Sequence, residues 1–126
     1  MRLTGDPPLS WSRPDLLGEG QDAFRRGRFQ TARALWKAEA LASSQYSRDW
    51  IEGLAFVATG FREHEGDRPV AAERLLTKGL KRLHSAPHRL DSVDVAAVRH
   101  AAAVLRAALR RGDPVSPWQI AAAPAT

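Results

Sequence analysis

The chain has 126 residues, 44% of them hydrophobic and 26% charged, which suits one ordinary globular domain able to bury roughly two thirds of its unfolded surface. It contains no cysteine, and this excludes disulfides, thiolate zinc sites, iron–sulfur clusters and cysteine nucleophiles together. Its net charge of +5 is uneven, −1 over residues 1–67 and +7 over residues 68–111. No apolar run reaches the roughly 20 residues needed to cross a bilayer, and residues 1–8 lack the apolar stretch of a signal peptide, so a soluble, cytoplasmic protein with no membrane partner is expected.

Residues 1–13 hold Pro7-Pro8 and little periodicity; they read as an N-terminal arm, with Trp11 docking on the body of the protein. A first helix is expected from Pro14, which suits an N-terminal turn, to Arg26, with Leu16, Leu17, Ala23 and Phe24 as its apolar stripe. Gly18 and Gly20 weaken it, and Gly27 stands where a left-handed C-terminal residue belongs. The second helix covers about 29–42, with Phe29, Ala32, Trp36 and Ala40 at helical spacing. The third covers about 47–65, with Trp50, Leu54, Val57 and Phe61 on one face. Pro69 opens a fourth helix over about 68–84, with Ala72, Leu76, Leu80 and Leu83 inward. Asp91 or Ser92 is expected to cap a fifth helix carrying Val95, Val98, Ala102, Leu105 and Leu109, which Gly112-Asp113-Pro114 stops. Residues 113–126 are rich in Pro and Ala and read as a flexible tail, unless Trp118 and Ile120 fold back.

No strictly alternating β-branched run occurs. The expected fold is therefore all-α: an antiparallel bundle of about five helices over residues 14–112, made of two helix hairpins and a C-terminal helix. Trp36, Trp50, Leu54, Phe61 and Leu76 should be largely buried. A weak repeat supports the two hairpins. Phe24-Arg-Arg-Gly27 is followed by Ala32, and 39 residues later Glu63-His-Glu-Gly66 is followed by Ala71. Gly27-x-Phe29-x-x-Ala32 looks like a tetratricopeptide turn, but two units are too few for a solenoid.

Over residues 15–84 the chain resembles the small helical proteins grouped as domain of unknown function 309. The resemblance rests on Phe24-Arg-Arg-Gly27-Arg-Phe29, on Trp50-Ile51-Glu52-Gly53-Leu54, and on Gly66-Asp67 with Ala71 before Leu80-Lys-Arg-Leu83. It implies a helical bundle and no established activity. That family is marked by a His-Glu pair after the Gly-x-Phe turn and a further Glu about three residues on. Here Arg33, Ala34 and Lys37 stand in those places. The resemblance therefore implies that any metal or proton-transfer chemistry of the family is lost, and that Arg33 is free to bind an anion in the same place.

Other chemistry is thinly represented. Glu63-His64-Glu65 reads as a solvated helix end, because adjacent helical residues point in different directions. His84 and His88 are separated by Pro87, and His100 is alone, so no metal site is expected. The serines lie in loops, caps or tails, and no phosphate-cradling glycine loop is present, so no cofactor is expected either. Glu52 is expected half-buried in an ion pair with Arg33 or another arginine rather than acting as a base.

The strongest functional signal is positive charge. Arg74, Lys78, Lys81 and Arg82 form one stripe, and Arg99, Arg106 and Arg110 form another. Should the fourth and fifth helices pack side by side, the stripes merge into a face attractive to polyanions. Cations near helix C-termini also simply complement the helix dipole. The expected function is a non-catalytic binding or scaffold module with a protein partner. The alternative is a nucleic-acid-binding accessory protein using the basic face.

Overall fold

The computed structural model describes residues 14–123; the N-terminal arm, with Trp11, lies outside them. Six helices and one very short ribbon follow in order: α1 (Leu16–Arg25), α2 (Phe29–Ala42), α3 (Gln45–Glu65), α4 (Pro69–Leu83), β1 (Arg89–Leu90), β2 (Val93–Asp94), α5 (Val95–Arg111) and α6 (Pro117–Ala122). The fold is all-α. α1 packs on α2, α2 on α3, α3 on α4 and α4 on α5, so chain neighbours are spatial neighbours.

The core combines a cluster of aromatic rings with aliphatic side chains. Phe24 sits between Phe29, Trp36 and Phe61, its ring centre 4.8 Å from that of Phe61 in an edge-to-face contact, a geometry that aromatic quadrupoles favour. Leu54, Val57, Leu76, Leu83, Val95, Val98 and Leu105 fill the remainder. Trp50 departs from expectation. It is only half-buried, because it belongs to the first turns of α3, beside the point where α4 ends. Its ring lies 5.6 Å from that of Tyr46, and its Nε1 donates to Ser85 Oγ at 3.4 Å.

Both hairpins cross at a glycine. A Cβ on Gly20 would meet the indole of Trp36, whose Nε1 donates to the Leu17 carbonyl at 3.1 Å. Gly20 thus admits the largest side chain of the core rather than merely weakening α1. Gly60 plays the same part for Leu76. The internal repeat is therefore real, with an offset of 40 rather than 39: Gly20 and Trp36 correspond to Gly60 and Leu76. The turns agree. Arg28 N bonds the Ala23 carbonyl at 2.8 Å, and Arg68 N bonds the Glu63 carbonyl at 2.9 Å. The left-handed residues are Gly27 (φ 78°) and Asp67 (φ 64°); Gly66, which the shorter offset aligns with Gly27, is not left-handed. The buried alanines at the crossings are Ala32 and Ala72.

Three boundaries differ from the sequence expectation. Asp15 caps α1, its Oδ1 accepting from Gly18 N at 3.0 Å, so Pro14 precedes the helix instead of opening it. Asp94 rather than Asp91 or Ser92 caps α5, accepting from Ala97 N at 3.0 Å. Residues 89–94 form an antiparallel ribbon, Leu90 opposite Val93, with Val93 fully buried. Gln21 holds it in place by accepting from Asp94 N at 2.9 Å and donating to the Asp94 carbonyl at 3.3 Å. Finally, residues 117–122 are helical and fold back rather than forming a flexible tail. Ala121 is buried, Ile120 packs against the core, and Trp118 remains exposed.

Candidate functional site

The expected basic face proves to be heavily engaged. α4 and α5 do pack together, yet most of the named cations have partners. Arg82 bonds both Asp49 (3.4 Å) and Glu52. Arg110 bonds Glu73 at 2.8 Å. Arg99 donates to the carbonyls of Leu83 (2.8 Å) and Ala86 (3.3 Å), closing the C-terminal end of α4. Lys78 Nζ stands 5.8 Å from the centre of the Phe56 ring, and Arg82 Cζ stands 5.2 Å from it, both within cation–π range. Arg74, Lys81 and Arg106 have no partner among the described residues.

The residues at the two positions singled out by the resemblance, Arg33 and Glu52, meet at one place. A cleft of about 270 Å³ lies between α2, α3 and α4, lined by Arg33, Lys37, Glu52, Ala55, Phe56, Thr59 and Leu75. Residues 33 and 37 are one turn apart on α2 and therefore share a face. Residues 52, 55, 56 and 59 make the matching face of α3. Glu52 pairs with Arg82 across the α3–α4 contact and not with Arg33. The Thr59 hydroxyl bonds the Ala55 carbonyl at 2.8 Å within its own helix. Arg33 is half-buried and Lys37 exposed, and neither has a partner among the described residues. The cleft is thus an apolar floor of Ala55, Phe56 and Leu75 beneath two unbalanced positive charges. Composition and charge runs miss it, because Arg33 and Lys37 lie in the near-neutral half of the chain.

An acidic hollow lies at the other end of the bundle, lined by Asp15, Glu19, Asp22 and Asp94 together with Arg25 and Arg89. Two of its carboxylates serve structure. Asp94 caps α5, and Asp15 caps α1 while also accepting from Ser92 Oγ at 2.6 Å. The Ser92 hydroxyl first, and the Gly18 amide second, hold the Asp15 carboxyl below the usual aspartate range. No group of three or more His, Cys, Asp or Glu suited to a metal occurs among the described residues.

His64 is not the solvated helix end that its triplet suggested. It is half-buried, with Nε2 at 3.2 Å from the Val115 carbonyl and Nδ1 buried without a partner, because the returning C-terminal segment covers it. Glu63 bonds Arg68 at 3.3 Å. His84, His88 and His100 are exposed and do not converge. No helix among the described residues is long and apolar enough to cross a membrane.

No family model, curated protein or solved structure matches the chain.

Proposed function

We propose that this protein is a non-catalytic binding module, and that it engages another protein through the α2–α3–α4 face. The observation that carries this is the cleft itself: Arg33 and Lys37, without partners among the described residues, line it together with Ala55, Phe56 and Leu75. Two free cations over an apolar floor attract an anionic group and also reward burial of an apolar one. The one acid in the cleft, Glu52, is held by Arg82, which suits a binding role better than proton transfer. The proposed kinship with domain of unknown function 309 agrees in position, since it places that family's polar motif at residues 33, 34 and 37.

The nucleic-acid alternative draws less support. Five of the eight cations on α4 and α5 are already engaged with carboxylates, carbonyls or a ring.

Affinity purification from cells, run in parallel with the wild type and with an Arg33→Glu/Lys37→Glu variant and repeated after nuclease treatment, tests the proposal. A defined protein that survives nuclease and is lost with the variant supports it. Co-purification that disappears with nuclease, or that is the same for both forms, contradicts it.

A further inference from the structure

Resting on that binding role, we infer that the cleft recognises a peptide segment in which one apolar side chain is flanked by carboxylates. The apolar side chain seats on Ala55, Phe56 and Leu75, and the carboxylates meet Arg33 and Lys37. Size argues for a segment rather than a small metabolite. At about 270 Å³ and open to solvent, the cleft falls just below the roughly 300–1,000 Å³ of pockets that enclose small ligands. It has room for an anchor residue whose chain continues along the surface.

Charge argues for an acid. The Glu52 carboxylate is bound by Arg82, and the Thr59 hydroxyl is bound within α3. The remaining polar groups that line the cleft are the cationic side chains of Arg33 and Lys37, which donate hydrogen bonds and accept none. Residues four apart on a helix are separated by about 6 Å along its axis. That span matches two acidic side chains one turn apart on a helical partner, or a single carboxylate drawn between both cations. An arginine flanked by apolar surface is also the geometry in which a charge-assisted pair with a carboxylate is strongest.

The second hairpin supplies an internal comparison. The residue equivalent to Arg33 is Glu73, and it already has its ionic partner in Arg110 of α5 at 2.8 Å. α5 supplies that partner from within the chain. No described element does so for Arg33, which leaves a charge of opposite sign open to a partner from outside.

Fluorescence anisotropy with defined probes tests the inference. The probe is a labelled twelve-residue peptide of Asp, Glu, Leu and Phe. One control replaces its acids by Lys, a second replaces Leu and Phe by Ser, and a third is a twelve-nucleotide polyuridylate. The acidic–apolar peptide is expected to bind, and Arg33→Glu/Lys37→Glu to weaken it by about tenfold or more. Arg74→Glu/Lys81→Glu carries the same change in net charge outside the cleft and is expected to leave binding within about twofold, as for charges lying beyond the contact. Circular dichroism and a thermal melt establish that both variants remain folded. Equal losses from the two variants, equal binding of the Ser-substituted peptide, preferential binding of the polyuridylate, or no binding of the acidic–apolar peptide overturns the inference. The binding role falls separately, on the cell-derived partner. A partner that depends on Arg33 and Lys37 but is not displaced by the peptide preserves that role and overturns the segment chemistry.

Discussion

In the first hairpin Gly20 makes room for the indole of Trp36; in the second, forty residues later, Gly60 makes room for Leu76. The paths of the two chains agree in turn, crossing and buried alanine, and they part where each hairpin meets its surroundings. Phe24 belongs to the ring cluster, whereas its counterpart His64 reaches the Val115 carbonyl of the returning segment. Gly27 corresponds to Asp67. Arg33, without a partner among the described residues, corresponds to Glu73, bound by Arg110. The comparison separates two kinds of residue: those that set the crossing of a hairpin, and those that record what covers it. α5 supplies an ionic partner to the second hairpin, whereas the equivalent residue of the first, Arg33, lines the cleft between the two hairpins.

Breaking the crossings should give the largest effects. Trp36→Ala removes a fully buried indole and its bond to the Leu17 carbonyl, and should cost about 3–5 kcal/mol. Leu76→Ala should cost no more than Trp36→Ala. Urea unfolding of both variants checks the order, and a larger loss at Leu76 would mean that the second hairpin carries the fold.

The glycines sharpen the same point. Gly20→Ala drives a methyl group against a rigid ring that is hydrogen-bonded in place, and overpacking of this kind costs about 1–3 kcal/mol. Better helix propensity returns up to roughly 1 kcal/mol of that. Gly60→Ala meets Cγ and Cδ2 of the fully buried Leu76 at 2.9 Å, a less severe approach than that to the indole, and should destabilise by less than Gly20→Ala. Thermal melts of the pair distinguish them.

At the turns, Gly27→Ala places a side chain at φ 78° and should cost about 1–2 kcal/mol. Asp67→Gly should be nearly neutral, since the relief of strain is offset by the greater freedom of glycine in the unfolded chain. Differential scanning calorimetry reads both.

The smallest effect concerns pH. The folded-state pKa of Asp15 is depressed, so its contribution to stability is present above the ordinary aspartate range and is lost as pH falls through the folded value. Ser92→Ala removes the larger cause and should move the Asp15 titration upward, toward that of a free aspartate. NMR titration of the Asp15 carboxyl follows this directly, and an unchanged midpoint would show that the hydroxyl at 2.6 Å does not set it.

The helices were legible because their apolar stripes recur over several turns, as in Phe29, Ala32, Trp36 and Ala40. What stayed hidden is either too short or too distant in sequence. A two-residue strand has no alternation to detect, so Val93 gave no sign that it belongs to a buried ribbon. The Asp94 cap depends on Gln21, 73 residues away. α6 is six residues long, and its docking depends on tertiary contacts rather than propensity. The charge runs pointed to α4 and α5, but a run says nothing about partners, and the acids Glu52 and Glu73 that engage those arginines come from other turns and other helices. Arg33 and Lys37 stay open for the converse reason, that no partner reaches them among the described residues.

The central claim is that the open cleft between α2, α3 and α4, and not the basic run of α4 and α5, is where this protein meets its partner. A titration of uniformly ¹⁵N-labelled protein with the acidic–apolar peptide tests it most directly. The account predicts that the largest amide shifts fall on residues 33–37, 52–59 and 75, with residues 99–111 unmoved. Shifts concentrated on α5, or spread evenly over every cationic surface, would contradict it.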